Sequence, residues 1–214
     1  KTLPNVYQPT REEALNDFGT KGKWRTEIFK NNNPIVLELG CGKGEYSVGM
    51  AKAFPDKNFI GVDIKGARFW FGAKEAVEKD LKNVAFLRTQ IELIDLFFEQ
   101  NEVDEIWITF PDPQIKYRRT KHRLTHPDFL NRYQKIMKPE GIVHLKTDSE
   151  FLHGYTLGYL QGAGHEIITA HHDIYGAPEY DPETEHLREI KTYYEELFSA
   201  KGKTITYIKF RISK

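Results

Sequence analysis

Ile35-Val36-Leu37-Glu38-Leu39-Gly40-Cys41-Gly42-Lys43-Gly44 is the stretch whose reading decides the fold. An apolar run, Ile35 to Leu37, carries a carboxylate at Glu38, and three glycines follow on alternate positions. Tyr46 to Phe54 then shows a helix-like pattern, which Pro55 ends. Strand, glycine turn and helix is the arrangement in which an α/β sheet offers backbone to a nucleotide-like ligand. Glycine suits such a turn because the chain bends tightly and a ligand must approach without a Cβ in the way.

The spacing helps to choose the ligand. A dinucleotide site wants G-x-G-x-x-G, with a helix N-terminus facing a pyrophosphate. Here the third glycine arrives one residue early, and Glu45 stands where that pattern wants glycine. Glu38 would repel a pyrophosphate but suits a cationic ligand. S-adenosylmethionine has an ammonium, a sulfonium and no phosphate. The E-x-G-x-G-x-G run, with Glu38, Gly40, Gly42 and Gly44, therefore resembles the first motif of the class I methyltransferases. Asp63 closes the next apolar run, nineteen residues after Gly44, where a carboxylate would accept from ribose hydroxyls. These features disfavour an NAD-dependent oxidoreductase.

Composition sets the outer limits. With 214 residues, 39% of them hydrophobic and 13% aromatic, the chain has enough apolar material for one sizeable folded domain. It has no run of eighteen apolar residues, and its N-terminal stretch lacks a signal-like apolar core. The single cysteine excludes an internal disulfide and gives no zinc framework. These features predict a cytoplasmic protein without membrane or metal. Formal net charge is zero, so any argument for a polyanionic partner rests on how charge is distributed.

Residues 1–33 read as an N-terminal arm with one or two short helices, carrying Lys21, Lys23, Arg25 and Lys30. The domain proper is expected over 34–214. Strands are predicted at 35–39, 58–63, 84–88, 103–110, 140–147, 165–172 and 203–211. Helices are predicted at 44–54, 66–80, 91–99, 126–137, 149–162 and 185–200. This alternation implies an α/β protein with a mostly parallel sheet and helices on both faces. Ligands of such sheets bind beyond the carboxyl ends of the strands. The glycine turn, Asp63 and whatever follows Phe110 are therefore expected to meet. Gln90, after the third predicted strand, is a candidate partner for an adenine edge; its other reading is an ordinary polar residue before a helix.

The second chemical stretch is Pro111-Asp112-Pro113, followed by Lys116, Arg118, Arg119, Lys121, His122 and Arg123. The prolines restrict the backbone and hold Asp112 at the end of a central strand. Five Lys/Arg within eight residues of a neutral protein point to a phosphate backbone. Tyr117 reads either as a base-stacking ring or as packing. His171-His172-Asp173 invites a metal reading, but adjacent strand residues face opposite sides, so no metal site is expected. The acidic span Glu179 to Glu196 reads as a solvated loop and helix.

With this stretch the chain resembles the tRNA (guanine-N7)-methyltransferases. The resemblance rests on P-D-P with a Lys four residues after the Asp and a basic run behind it. Thr147-Asp148 at the end of a strand and Thr192-Tyr193-Tyr194-Glu195, like that family's T-x-Y-E, agree with it. It covers residues 34 to 212. It implies a Rossmann-like class I methyltransferase fold, a seven-stranded mostly parallel sheet with an antiparallel last strand. It also implies S-adenosylmethionine as cofactor and a guanine in the tRNA variable loop as acceptor, in a monomer or homodimer. Asp112 is the first candidate for catalysis and also for cofactor contact. Lys116, Asp148, Thr192, Tyr194 and Glu195 are implied for substrate, and Arg118, Arg119, Lys121, His122 and Arg123 for RNA. Bland readings stand beside these: Asp112 as a turn residue, Thr147-Asp148 as a helix cap, Thr192 to Glu195 as a helix face. The departures are Gln114 where the family has Trp, Asp63 where Glu is common, and Gln90 where Asn or Asp is common. A non-catalytic RNA-binding module of the same fold, or a methyltransferase with another acceptor, remains as an alternative.

Overall fold

A computed structural model describes residues 3–176 and 185–213. Residues 179–184 of the expected acidic loop lie outside that description. The described elements, in chain order, are β1 (Val6–Tyr7), α1 (Arg11–Leu15), a π-helix (Trp24–Phe29), β2 (Ile35–Leu39), α2 (Glu45–Ala53), β3 (Asn58–Asp63), α3 (Gly66–Glu78) and β4 (Val84–Arg88). A 3₁₀ segment (Ile91–Leu96), β5 (Val103–Thr109) and a second 3₁₀ segment (Tyr117–His122) follow. The chain then forms α4 (Pro127–Ile136), β6 (Met137–Thr147), α5 (Glu150–Gly162), β7 (Glu166–His171), α6 (Glu185–Glu189), α7 (Tyr193–Ser199) and β8 (Thr206–Arg211). Among the described residues the sheet has eight strands in the order β1-β4-β3-β2-β5-β6-β8-β7.

The chain divides into two compact units, Lys1–Ile106 with Asn131–Gly141, and Trp107–Leu130 with Ile142–Lys214. In the first unit β2, β3 and β4 pair in parallel, Leu37 opposite Ile60 and Ile60 opposite Ala85. Every residue of β2 and β3 is buried, which is why these strands read as continuous apolar runs instead of alternating ones. In the second unit β8 runs antiparallel to both β6 and β7, with Leu145 opposite Ile208 and His171 opposite Tyr207. That agrees with the expected antiparallel last strand.

Several expectations need correction. The sheet has eight strands, not seven, because Val6 and Tyr7 pair in parallel with Phe86 and Leu87. Two residues are too few to show a period of two, so the pattern could not reveal that strand. Within residues 1–33, Trp24 is fully buried and stacks on Phe98 at 5.2 Å between centroids. Arg25 pairs with Asp104, which also accepts from the Ile35 amide at 2.8 Å. The predicted helix 185–200 is two helices, because Thr192 starts a new one by accepting from the Glu195 amide. The predicted helix 91–99 is the shorter 3₁₀ segment.

Candidate functional site

In the first unit the glycine turn joins β2 to α2. Gly40, Gly42 and Gly44 have φ of +79°, +55° and +78°, the left-handed region that other residues enter at a cost. Their surroundings differ. A Cβ on Gly44 would lie 2.5 Å from the Phe86 ring, whereas a Cβ on Gly40 or Gly42 would meet nothing within 4 Å. Gly44 therefore serves packing, and Gly40 and Gly42 front open space. Gly72 of α3 completes the turn: its amide donates to the Lys43 carbonyl at 3.0 Å, and a Cβ there would lie 2.7 Å from that oxygen. Sequence reasoning passed over Gly72, although a glycine inside a helical pattern is a signal of close packing.

The turn's amides face inward. Gly40 and Cys41 donate to the Val62 carbonyl, Gly44 donates to the Cys41 carbonyl, and Gly42 donates to Asp63 Oδ2 at 3.1 Å. A pyrophosphate site needs such amides aimed at the ligand; here four of them serve the fold. Asp63 is buried and its Oδ1 accepts from the Lys65 amide at 2.8 Å, so it ties the turn to the start of α3. Glu38 is buried too, and its Oε2 accepts from the Ser47 amide at 2.9 Å and the Ser47 hydroxyl at 2.5 Å. Burial pushes the Cys41 thiol well above its ordinary range, and the charges of Glu38 and Asp63 push it further. Two buried carboxylates thus flank Cys41 in the turn, a setting that suits a cation better than an anion. Gln90 is exposed beyond β4 and its side chain does not cap the 3₁₀ segment it precedes.

In the second unit Asp112 is exposed just past β5. Gln114, at φ +47°, donates to it twice, from its amide at 3.2 Å and from Nε2 at 3.0 Å. The residue that departs from the family pattern thus orients the candidate catalytic carboxylate. Arg123 differs from its expected role. It is 4% exposed, donates to the Gln114 carbonyl at 3.1 Å, and lies over the Tyr155 and Phe151 rings at 4.3 and 4.8 Å. It clamps the loop from within, with its guanidinium buried in this structure. A recess of ≈ 700 Å³ brings Asp112, Lys116, Arg118, Arg119 and His122 together. Lys121 is exposed but does not line it.

The remaining expected substrate residues do not line that recess. Asp148 accepts from Lys203 Nζ at 2.7 Å. Thr192 caps α7, and Tyr194 is exposed on it. Glu195 is fully buried: Oε2 pairs with Lys146 Nζ at 2.8 Å and Oε1 accepts from the Tyr175 hydroxyl at 2.6 Å. In this structure it offers no surface to a base. Lys146 also donates to the Leu187 carbonyl and, at 3.4 Å, to that of Ile190. The sequence signal for it was a lysine directly after the strand-like run Ile142 to Leu145. His171 stacks toward Tyr207, while His172 lies against His153; among the described residues no cluster could hold a metal. No described helix is long and apolar enough to cross a membrane.

The family model "Putative methyltransferase" matches residues 32–208. A tRNA (guanine-N(7)-)-methyltransferase of Christiangramia forsetii is 65% identical over 97% of this chain and 92% of its own. One of Porphyromonas gingivalis is 48% identical over 100% and 87%. Among solved structures, the 16S rRNA methyltransferase KamB superposes with a TM-score of 0.65 at 14% identity, covering 88% of this chain and 92% of that one. A SAM-dependent methyltransferase from Aquifex aeolicus gives 0.56 at 17%, covering 94% and 88%. At those identities the likeness speaks for the Rossmann-like α/β fold. The family match and the full-length relatives go further, and the chain belongs to the tRNA (guanine-N(7)-)-methyltransferase family.

Proposed function

We propose that this protein transfers a methyl group from S-adenosylmethionine to N7 of a guanine in tRNA. The observation that carries the reading is 65% identity, over 97% of the chain, to a relative that bears the name of that activity. The turn's chemistry supports the donor: open space at Gly40 and Gly42, inward amides, and two buried carboxylates. Gly40 and Gly42 would let the ligand approach, Asp63 would accept from its ribose, and Gln90 would meet its adenine edge. Glu38 holds the turn through Ser47 and contributes negative field.

When bound, S-adenosylmethionine supplies an electrophilic methyl on a cationic sulfur. Guanine N7 has an available lone pair, so the chain need not remove a proton to make it nucleophilic. Its task is orientation, which can lower a barrier by roughly 7–11 kcal/mol in favourable cases. Asp112, fixed by Gln114, would accept from guanine N1–H and N2–H₂ and stabilise the positive charge that grows on the purine. Lys116, Arg118, Arg119 and His122 would hold phosphates around it, with Lys121 adding to the field. A tRNA substrate is consistent with a cytoplasmic protein. Incubation with labelled S-adenosylmethionine and bulk tRNA, followed by digestion to nucleosides, tests the reading. N7-methylguanosine is the expected product; label in another nucleoside, or none, would overturn it.

A further inference from the structure

Tyr117 is 94% exposed, at the start of the second 3₁₀ segment, between Lys116 and Arg118. Among the described residues its ring makes no aromatic or cation contact and its hydroxyl no hydrogen bond. Its backbone is nevertheless held firmly. The Thr120 hydroxyl donates to the Tyr117 carbonyl at 2.7 Å, the Arg119 amide closes on the Lys116 carbonyl at 2.8 Å, and Arg123 clamps Gln114 from below. A large ring on a fixed backbone, turned to solvent, forgoes the burial that usually accompanies an aromatic side chain. The ring does not line the recess that holds Asp112. Cations surround it on the same loop: Lys116, Arg118, Arg119 and Lys121 are all exposed.

We infer that Tyr117 is a stacking platform for a nucleobase of the RNA other than the one methylated, the surrounding cations holding that nucleotide's phosphates. A phosphate grip needs only charge. An aromatic ring among cations matches a base and its backbone together, which is how single-stranded nucleic acid is held without sequence readout. The platform lies outside the recess, so its occupant is a neighbour of the target guanine. Thr120 holds the backbone that carries the ring.

The inference rests on the tRNA reading, and direct binding separates the two. The dissociation constant of bulk tRNA is measured by fluorescence anisotropy for the wild type, Tyr117→Phe and Tyr117→Ala, across a salt series. A ring so exposed contributes little to folding, so all three should unfold alike. Stacking predicts that Tyr117→Ala binds tRNA about 5- to 150-fold more weakly, while Tyr117→Phe matches the wild type. The salt slope of Tyr117→Ala should equal that of the wild type, because no phosphate contact is lost. Equal affinity for Ala and Tyr would overturn the platform. So would a Phe variant as weak as Ala, which would assign the role to the hydroxyl, or a self-association lost in Tyr117→Ala, which would make the ring an interface between copies of this chain. If the wild type binds tRNA with this pattern yet yields no N7-methylguanosine, the methylation reading fails and the platform stands.

Discussion

At the scale of single residues, the site was partly legible. Glycines and carboxylates that must be present for steric or charge reasons could be read off; partners that depend on a folded neighbour could not. Gly40, Gly42, Gly44 and Asp63 fall in the first group, and the structure ties Asp63 directly to Gly42. Arg123 falls in the second: it reads like its basic neighbours, and only the rings of Tyr155 and Phe151 reveal that it faces inward. Glu195 was hidden in the same way by Lys146. Asp112 remains exposed and oriented, so it can be tested cleanly. Asp112→Ala should lower the transfer rate by about 100-fold, the size expected when one preorganised electrostatic partner is removed. Calorimetric affinity for S-adenosylmethionine should hold; weaker cofactor binding with kcat preserved would reassign Asp112 to the donor. The glycines separate by a second pair of variants. Gly44→Ala drives a Cβ into the Phe86 ring and should lower stability by about 2–4 kcal/mol in urea unfolding, overpacking adding to the left-handed strain. Gly40→Ala meets no neighbour and carries only the strain, about 1–2 kcal/mol. Its larger effect should be weaker S-adenosylmethionine binding, since its methyl would enter the open space proposed for the ligand.

At the scale of elements, the parallel strands of the first unit were the most legible, because two-sided burial forces unbroken apolar runs. β2, β3 and β4 begin and end where the pattern placed them. The two-residue strand β1 and the break between α6 and α7 were not legible, since each depends on tertiary partners. The Lys146 ammonium pins α6, the following turn and α7 to β6 through Leu187, Ile190 and Glu195. Lys146→Met alone leaves the Glu195 carboxylate buried and unpaired, and should cost about 3–5 kcal/mol. Lys146→Met with Glu195→Leu replaces the pair by apolar volume and should restore most of that loss; Tyr175, part-exposed, can turn its hydroxyl to water. Failure of the double variant to refold would show that the carbonyl contacts matter more than the pair. The pair also has a pH signature. Burial holds the Lys146 ammonium at about 8, below its ordinary 10.5, with Glu195 opposing that shift and Lys191 adding repulsion. Between those values the unfolded chain binds more protons than the folded one. This site's contribution to stability therefore rises as pH climbs from about 8 to 10.5. Melting temperatures of the wild type and the double variant, subtracted across that range, should show the rise; a flat difference would mean Lys146 keeps its ordinary pKa in the fold.

At the scale of the whole molecule, 31 basic residues balance 31 acidic ones, so the protein as a whole exerts little net pull on a polyanion. Any attraction must come from local clustering, felt over a Debye length of about 8 Å at physiological salt. The exposed cations between Lys116 and His122 supply such a cluster, and Arg123 does not belong to it. That distinction gives two opposite expectations for arginines five positions apart or less. Replacing Arg118 and Arg119 together by Ala would remove two of the proposed phosphate contacts, so the logarithmic salt slope of tRNA binding should flatten by about 1.4–1.8. Folding stability should hold, because both side chains are exposed. Arg123→Ala should do the reverse. It loses two hydrogen-bond donors to Gln114 and its place over Tyr155, so stability should fall by about 1–3 kcal/mol while the salt slope keeps its value. The slopes are taken well below the melting temperature of Arg123→Ala, where that variant is folded. An unchanged slope for the Arg118 and Arg119 double variant would remove the loop from the RNA-binding surface. A flattened slope for Arg123→Ala would mean that its guanidinium leaves the Tyr155 ring to meet the phosphates.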